Sequence, residues 1–146
     1  MKARPYSYTL VILQFLCVIA LIAQAHTLFN AIIPLIVFGM GASVGVYAIL
    51  HNQIHNFNIL PEIKQDAQLI TTGAYAYVRH PMYFSVLMMM LAFVLSNPTL
   101  IAFFTYGILL IVLFLKARKE EHLWLEKSTD YAIYKAKTKY IIPFLL

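Results

Sequence analysis

The sequence predicts an all-α membrane protein: four transmembrane helices, a cytoplasmic loop between the second and third, and a C-terminal cytoplasmic helix. Three observations lead there. The 146 residues are 62% hydrophobic and only 12% charged, too little polar surface to cover the core of a soluble domain. The apolar residues fall in continuous runs near the ~18 residues a spanning helix needs, rather than alternating as barrel strands do. Every charged residue lies in a segment that four spans would place on one side of the membrane.

The first span, residues 6–25, is broken only by Ser7, Thr9, Gln14 and Gln24. Its end, Ala23-Gln24-Ala25, has the small-residue look of a signal-peptide cleavage site. The apolar run is long for a signal, and a retained helix is expected. The second span, 31–50, carries Gly41 and Gly45 at a GxxxG spacing, which lets helix backbones approach closely. No strand precedes these glycines, so they are not a nucleotide-binding loop. The loop from His51 to His80 is long for a small bundle. Its Phe57, Ile59, Leu60, Leu69, Tyr75 and Tyr77 suit a cover over the cytoplasmic end better than a free linker.

The third span, 82–96, opens with Pro81 near the first helical position and is short for a hydrocarbon core about 30 Å thick. Ser96-Asn97-Pro98 separates it from the fourth span, 98–115. Asn97 as N-cap and Pro98 as first helical residue predict a tight hairpin. The tail, 116–146, is expected to prolong the fourth helix, and its apolar end, Ile141 to Leu146, to return to the bundle or the membrane surface. One domain, 1–146, holds all of this.

Lys2 and Arg4 precede the first span, Lys64 and Arg79 lie between the second and third, and every other Lys and Arg falls at or after Lys116. The connections 26–30 and 96–98 have no Lys, Arg, Asp or Glu. The positive-inside rule then makes the charged face and both termini cytoplasmic, in an inner or cytoplasmic membrane. The net charge of +5 and pI near 9.4 follow from this topology and from attraction to anionic lipid headgroups, not from nucleic-acid binding. Cys17 stands alone within a span, which excludes a disulfide framework. His51 and His55 have the i, i+4 spacing of a helical metal pair but no third ligand, so no metal is expected.

Chemistry concentrates at the cytoplasmic edge. Gly73 to Tyr83 leads into the third helix, where free backbone N–H groups and the helix dipole favour an anion. Tyr75, Tyr77 and Tyr83 offer aromatic faces that attract cations. Glu120 and Glu121 lie about one turn beyond the fourth span, and the hairpin brings them to the same face. Anion donors, carboxylates and rings together suit a zwitterionic ligand with a cationic centre; the same residues would also serve as an interfacial anchor. His122, beside the pair, reads as a solvated tail residue.

The stretch LITTGAYAYVRHPMY, Leu69 to Tyr83, is followed at the proper distance by Lys116-Ala117-Arg118-Lys119-Glu120-Glu121, then Leu125, Tyr131, Tyr134 and Ile142-Pro143. In that order these motifs resemble the integral-membrane methyltransferases, the group of isoprenylcysteine carboxyl methyltransferases and phospholipid N-methyltransferases. The resemblance implies S-adenosylmethionine as methyl donor, held between the loop and the C-terminal helix. By position its cofactor contacts fall on Gln68, Leu69, Ile70, Tyr75, His80, Pro81, Met82, Tyr83, Glu120 and Glu121. His80 and the helix start would hold the methionine carboxylate, the tyrosines would line the sulfonium, and Glu120 would accept from the amino group or ribose.

No catalytic base is assigned, because methyl transfer to a nucleophile rests on alignment and desolvation. Lys116 falls at the substrate-binding position, where the family usually has Arg. Lysine cannot make the bidentate fork to a carboxylate, which tells against a carboxylate-bearing acceptor. Ser128-Thr129-Asp130 stands where the family usually has Phe-Gly before its paired tyrosines. The activity implied is methyl transfer to a lipophilic or small membrane-partitioning acceptor at the cytoplasmic face. The alternative is a non-catalytic scaffold or lipid-binding protein retaining the fold. A transporter ranks last, since the spans carry no charged residue.

Overall fold

The computed structural model describes residues 5–25, 30–52 and 56–143. Their regular structure is helical: α1 (Pro5–Gln24), α2 (Ile32–Asn52), a 3₁₀ turn (Gly73–Ala76), α3 (Pro81–Ser96), α4 (Leu100–Lys127) and α5 (Asp130–Lys137). Three of these, α1, α2 and α4, are long and apolar enough to cross a membrane, while α3 has 16 residues. Large apolar side chains stay exposed along the outer faces, among them Ile12, Leu16 and Ile19 on α1 and Ile101, Phe104 and Ile111 on α4. Apolar surface on that scale belongs against lipid, not water.

The bundle pairs α2 with α3 and α1 with α4, and α3 meets α1 and α4 as well. The GxxxG spacing is spent on the first seam. A Cβ on Gly41 would stand 2.9 Å from Met88 Cβ and from Met89 N, and one on Gly45 would collide with Ser85 Oγ. Ser85 Oγ donates to Gly41 O at 2.8 Å, so the close approach also satisfies a buried hydroxyl. The core runs through Cys17, Leu21, Leu87, Met90, Leu109 and Leu113 and is joined by Ile141 from the tail. The tail thus returns to the bundle at Ile141, as far as it is described; residues 144–146 of the expected apolar end lie outside the described residues.

The hairpin between α3 and α4 differs from the expected one. Thr99, not Asn97, caps α4, its Oγ1 accepting from Ala102 N at 3.1 Å, and Pro98 precedes the cap. Asn97 still belongs to α3: its N–H donates to Phe93 O and Val94 O, and its side-chain amide donates to Gln24 O at 2.7 Å. A residue committed to ending one helix and anchoring α1 is not free to start the next.

Two features set up the charged end. α4 continues well past Leu115 to Lys127, and Ser128-Thr129 turns the chain into α5. Residues 77–80 pair with 139–140 around a parallel bridge between Val78 and Lys139, where His80 N donates to Tyr140 O at 3.2 Å. The start of α3 is thereby gripped by the tail.

Candidate active site

His80 is the N-cap residue of α3, followed by Pro81 at the first helical position. It is 7% exposed, stacked on the Tyr83 ring at 5.5 Å and met edge-on by Tyr140 at 5.4 Å. Its Nδ1 lies 3.5 Å from Glu120 Oε2 and its Nε2 3.6 Å from Glu121 Oε1. Burial alone would lower the His80 pKa, but the Glu120 and Glu121 carboxylates outweigh it and raise it, favouring the imidazolium.

The two glutamates, adjacent on α4, point about 100° apart and meet different surroundings. Glu121 turns to the tail: it accepts from Arg79 Nε and from Lys135 Nζ, the latter at 2.7 Å. Burial works against its charge, but the facing His80 ring, hydrogen bonds from Lys135 and Arg79, and the Arg79 charge prevail and hold it at about 2. Arg79 also donates to Lys135 O at 3.1 Å and to Thr138 O, so one guanidinium ties α3, α4 and α5 together. Glu120 turns to the cavity and accepts from the Tyr83 hydroxyl.

Tyr75 sits in the 3₁₀ turn, whose Gly73 has φ +61, a conformation that favours glycine. A Cβ there would stand 2.7 Å from the His51 ring. His51 Nε2 is 2.8 Å from Thr72 Oγ1, so the end of α2 fixes the turn, and His55 lies outside the described residues. The Tyr75 carbonyl accepts from Tyr134 Oη at 2.7 Å. Burial above all, then Tyr134 and Glu120, push the Tyr75 hydroxyl above its ordinary pKa and keep it a donor.

These groups open onto a cavity of about 520 Å³, within the roughly 300–1,000 Å³ usual for small-molecule sites. Of the residues expected to contact a cofactor, Gln68, Ile70, Tyr75, His80 and Glu120 line it, together with the α3 start, Pro81, Met82 and Tyr83. Leu69 and Glu121 do not. Its apolar walls come from α1, α2 and α3, with Phe15, Ala42, Val46, Val86 and Met89 among them. Lys116 also lines the cavity, 2% exposed; its Nζ donates to Gln14 Oε1 at 2.5 Å and to Ile59 O at 3.0 Å and lies 5.2 Å from the Tyr83 ring centroid.

The Tyr75 hydroxyl is buried without a hydrogen-bond partner in the protein, and His80 Nε2 has only the Glu121 carboxylate, just beyond hydrogen-bond reach at 3.6 Å. Both belong to cavity-lining residues, where an unsatisfied donor calls for an explanation. His122 takes no part; it is exposed and faces Glu126 at 3.3 Å. Among the described residues no three His, Cys, Asp or Glu side chains gather to hold a metal ion.

Sequence reasoning left four contributors out: Gln14, Asn56, Trp124 and the clamping role of Arg79. Gln14 alone carried a signal, as a polar residue in an apolar span. A model of the isoprenylcysteine carboxyl methyltransferase family matches residues 32–126, from the start of α2 almost to the end of α4 and including His80 and both glutamates. No curated protein matches the chain.

Proposed function

The chain belongs to the isoprenylcysteine carboxyl methyltransferase family, and from that premise we propose that it transfers a methyl group from S-adenosylmethionine to a lipophilic or small membrane-partitioning acceptor at the cytoplasmic face. Methyl transfer is the chemistry of the family, and the apolar helices are those of a membrane protein. The observation that carries the rest is the unsatisfied Tyr75 hydroxyl beside the buried His80 ring, in a cavity that also holds Glu120 and has apolar walls from three helices.

The residues present fit the proposed donor, which supplies an electrophilic methyl carbon on a sulfonium. An imidazolium at His80 would bind its carboxylate. At the α3 start Pro81 has no N–H and Tyr83 N donates to His80 O at 3.1 Å, leaving the Met82 N–H to assist. Glu120 would accept from its amino group or ribose hydroxyls, and the Tyr75 and Tyr83 rings would face its positive centre. Gln68 and Ile70 would close over it from the loop, while Glu121 acts on the site through His80. The acceptor's hydrocarbon would lie against the apolar walls from α1, α2 and α3, its reacting atom near Lys116. Aligning two reactants in a cavity shielded from water is the main task for such a reaction.

The same reading takes α3 as a fourth span. Sixteen residues cover ~24 Å against a hydrocarbon core of ~30 Å, so its ends would sit below the headgroups. The clustered lysines and arginines set the charged end, with both termini, in the cytoplasm.

Calorimetric titration of S-adenosylmethionine and S-adenosylhomocysteine into purified protein tests the proposal, wild type beside His80→Ala and Glu120→Ala. Micromolar binding, about −8 kcal/mol, should appear in wild type, be lost in His80→Ala and weaken about a hundredfold in Glu120→Ala. A folded wild type that binds neither compound in detergent or in lipid would replace the enzyme with a lipid-binding scaffold.

A further inference from the structure

Three lysines of α4 reach the loop, and they reach it in order. Lys116 Nζ donates to Ile59 O at 3.0 Å, and Lys119 pairs with Glu62 at 2.5 Å. Lys127 Nζ donates to Lys64 O, Gln65 O and Ala67 O at 2.8, 2.9 and 3.0 Å. The loop from 59 to 67 therefore runs along α4 in the helix's own direction, stapled at three points. The inner two staples are shielded from solvent: Lys116 is buried, and Lys119 also donates to the buried Ser7. Lys127 is exposed, at the end of α4.

The outer staple has unusual geometry. An ammonium has three N–H donors, and here three carbonyls of one short turn converge on it. The turn is closed by Ala67 N donating to Lys64 O at 3.2 Å. The next residue, Gln68, is held through its backbone: its N–H donates to Asn56 Oδ1 at 3.0 Å, and Asn56 Nδ2 donates to its carbonyl at 3.1 Å. Gln68 and Ile70 then form part of the cavity wall, as does Trp124, whose ring lies 5.4 Å from Lys127 Nζ.

We propose that Lys127 is a positioning residue of the cavity: by gathering the carbonyls of the 64–67 turn it holds Gln68 and Ile70 in place against the bound adenosyl compound. The proposal rests on the methyltransferase reading. Three carbonyl dipoles aimed at one point repel one another unless a cation sits among them, and bonds from a charged donor are the stronger kind. Without the ammonium the turn opens to water. The Ile59 and Glu62 staples keep the loop attached, so the loss falls on the segment beyond them and spares the core.

The test uses the full chain in lipid nanodiscs, wild type beside Lys127→Gln and Lys127→Arg. Three quantities are read: amide hydrogen exchange without ligand, thermal unfolding, and affinity for S-adenosylhomocysteine. Lys127→Gln should speed exchange at residues 65–70 about tenfold, the factor that 1.4 kcal/mol of local opening represents. It should weaken binding by a similar factor and leave the unfolding midpoint in place. Lys127→Arg keeps the charge and several N–H donors and should restore binding to within about threefold of wild type. Wild-type affinity in Lys127→Gln overturns the proposal, as does weaker binding with unchanged exchange at 65–70 or with faster exchange throughout the helices. A wild type that binds no S-adenosylhomocysteine overturns the methyltransferase reading, and the role of Lys127 with it; binding that Lys127→Gln retains overturns the Lys127 role alone.

Discussion

Glu120 and Glu121 are neighbours on one helix turn, yet they head two different regions. On the Glu121 side Arg79 and Lys135 both have their acceptors: they converge on one carboxylate, and the rest of the Arg79 guanidinium reaches Thr138 and the Lys135 carbonyl. On the Glu120 side the polar groups are only partly matched. Tyr83 donates to Glu120 and His80 Nδ1 stands 3.5 Å from it, but Tyr75 Oη has no hydrogen-bond partner. A saturated cluster has nothing left to offer a ligand and acts as a clamp, while an under-satisfied one beside it is where a polar ligand gains most. His80, between the two, faces both carboxylates.

The comparison breaks most visibly at Arg79. Arg79→Ala leaves Glu121, 6% exposed at its side chain, without its main partner, a loss of the order of 3–5 kcal/mol for a buried pair. Unfolding in detergent should register it as a much lower midpoint, whereas Arg79→Ala protein as stable as wild type would mean that α5 is held by other contacts. The acid limb of the same clamp has a definite sign. The folded pKa of Glu121, about 2, lies below its ordinary 4.5, so the stabilisation is present above pH 4.5 and fades as pH falls toward 2. By linkage this is worth up to about 3 kcal/mol, and Glu121→Gln should flatten that part of the stability profile.

Glu120→Ala should do the reverse. Stability should change by no more than about 1 kcal/mol, and affinity for S-adenosylhomocysteine should fall about a hundredfold, roughly 2.8 kcal/mol. Equal effects of Glu120→Ala and Glu121→Ala on both quantities would erase the distinction between the regions. The link between them has its own pH signature. The His80 pKa is raised above 6.5 by the carboxylates, so its stabilising charge is complete below that value and is lost as pH rises through the folded pKa. Ligand affinity should decline in wild type as pH rises through that folded pKa, and the decline should move to lower pH in Glu120→Ala, where only the Glu121 carboxylate still raises it.

Much of this arrangement is legible in the sequence, and the rest is hidden for physical reasons. Continuous apolar runs mark α1, α2 and α4 because a spanning helix must be apolar along its length. The RHPMY stretch and the glutamate pair converge because a hairpin returns its ends to one face. What the sequence does not contain is rotation: which of two adjacent glutamates faces a cavity depends on where α5 packs, and α5 follows a Ser128-Thr129 turn with no strong signature. Gln14 and Lys116 bond across 102 positions, a pairing no local pattern announces. His51, spaced as half of a metal pair, instead fixes Thr72 and abuts Gly73. The cap of α4 is ambiguous in the sequence because Asn97 and Thr99 both suit the role, and Gln24 at the far end of α1 takes up the Asn97 side chain.

The smallest effect is the sharpest test of the comparison, because it asks two buried tyrosines of one cluster to respond in opposite ways. Tyr134 Oη donates to the Tyr75 carbonyl at 2.7 Å, so Tyr134→Phe removes a satisfied bond and should lower stability by about 1 kcal/mol. Tyr75 Oη has no protein partner to lose. Tyr75→Phe takes away a buried, unsatisfied donor and should leave the unliganded protein as stable as wild type or slightly more so. Its loss should appear only on binding, as affinity for S-adenosylhomocysteine weakened about tenfold, the worth of one hydrogen bond of roughly 1.4 kcal/mol. A Tyr75→Phe protein that is destabilised yet binds normally would place that hydroxyl with the clamp, and the division between a saturated and an open region would then have to be drawn elsewhere.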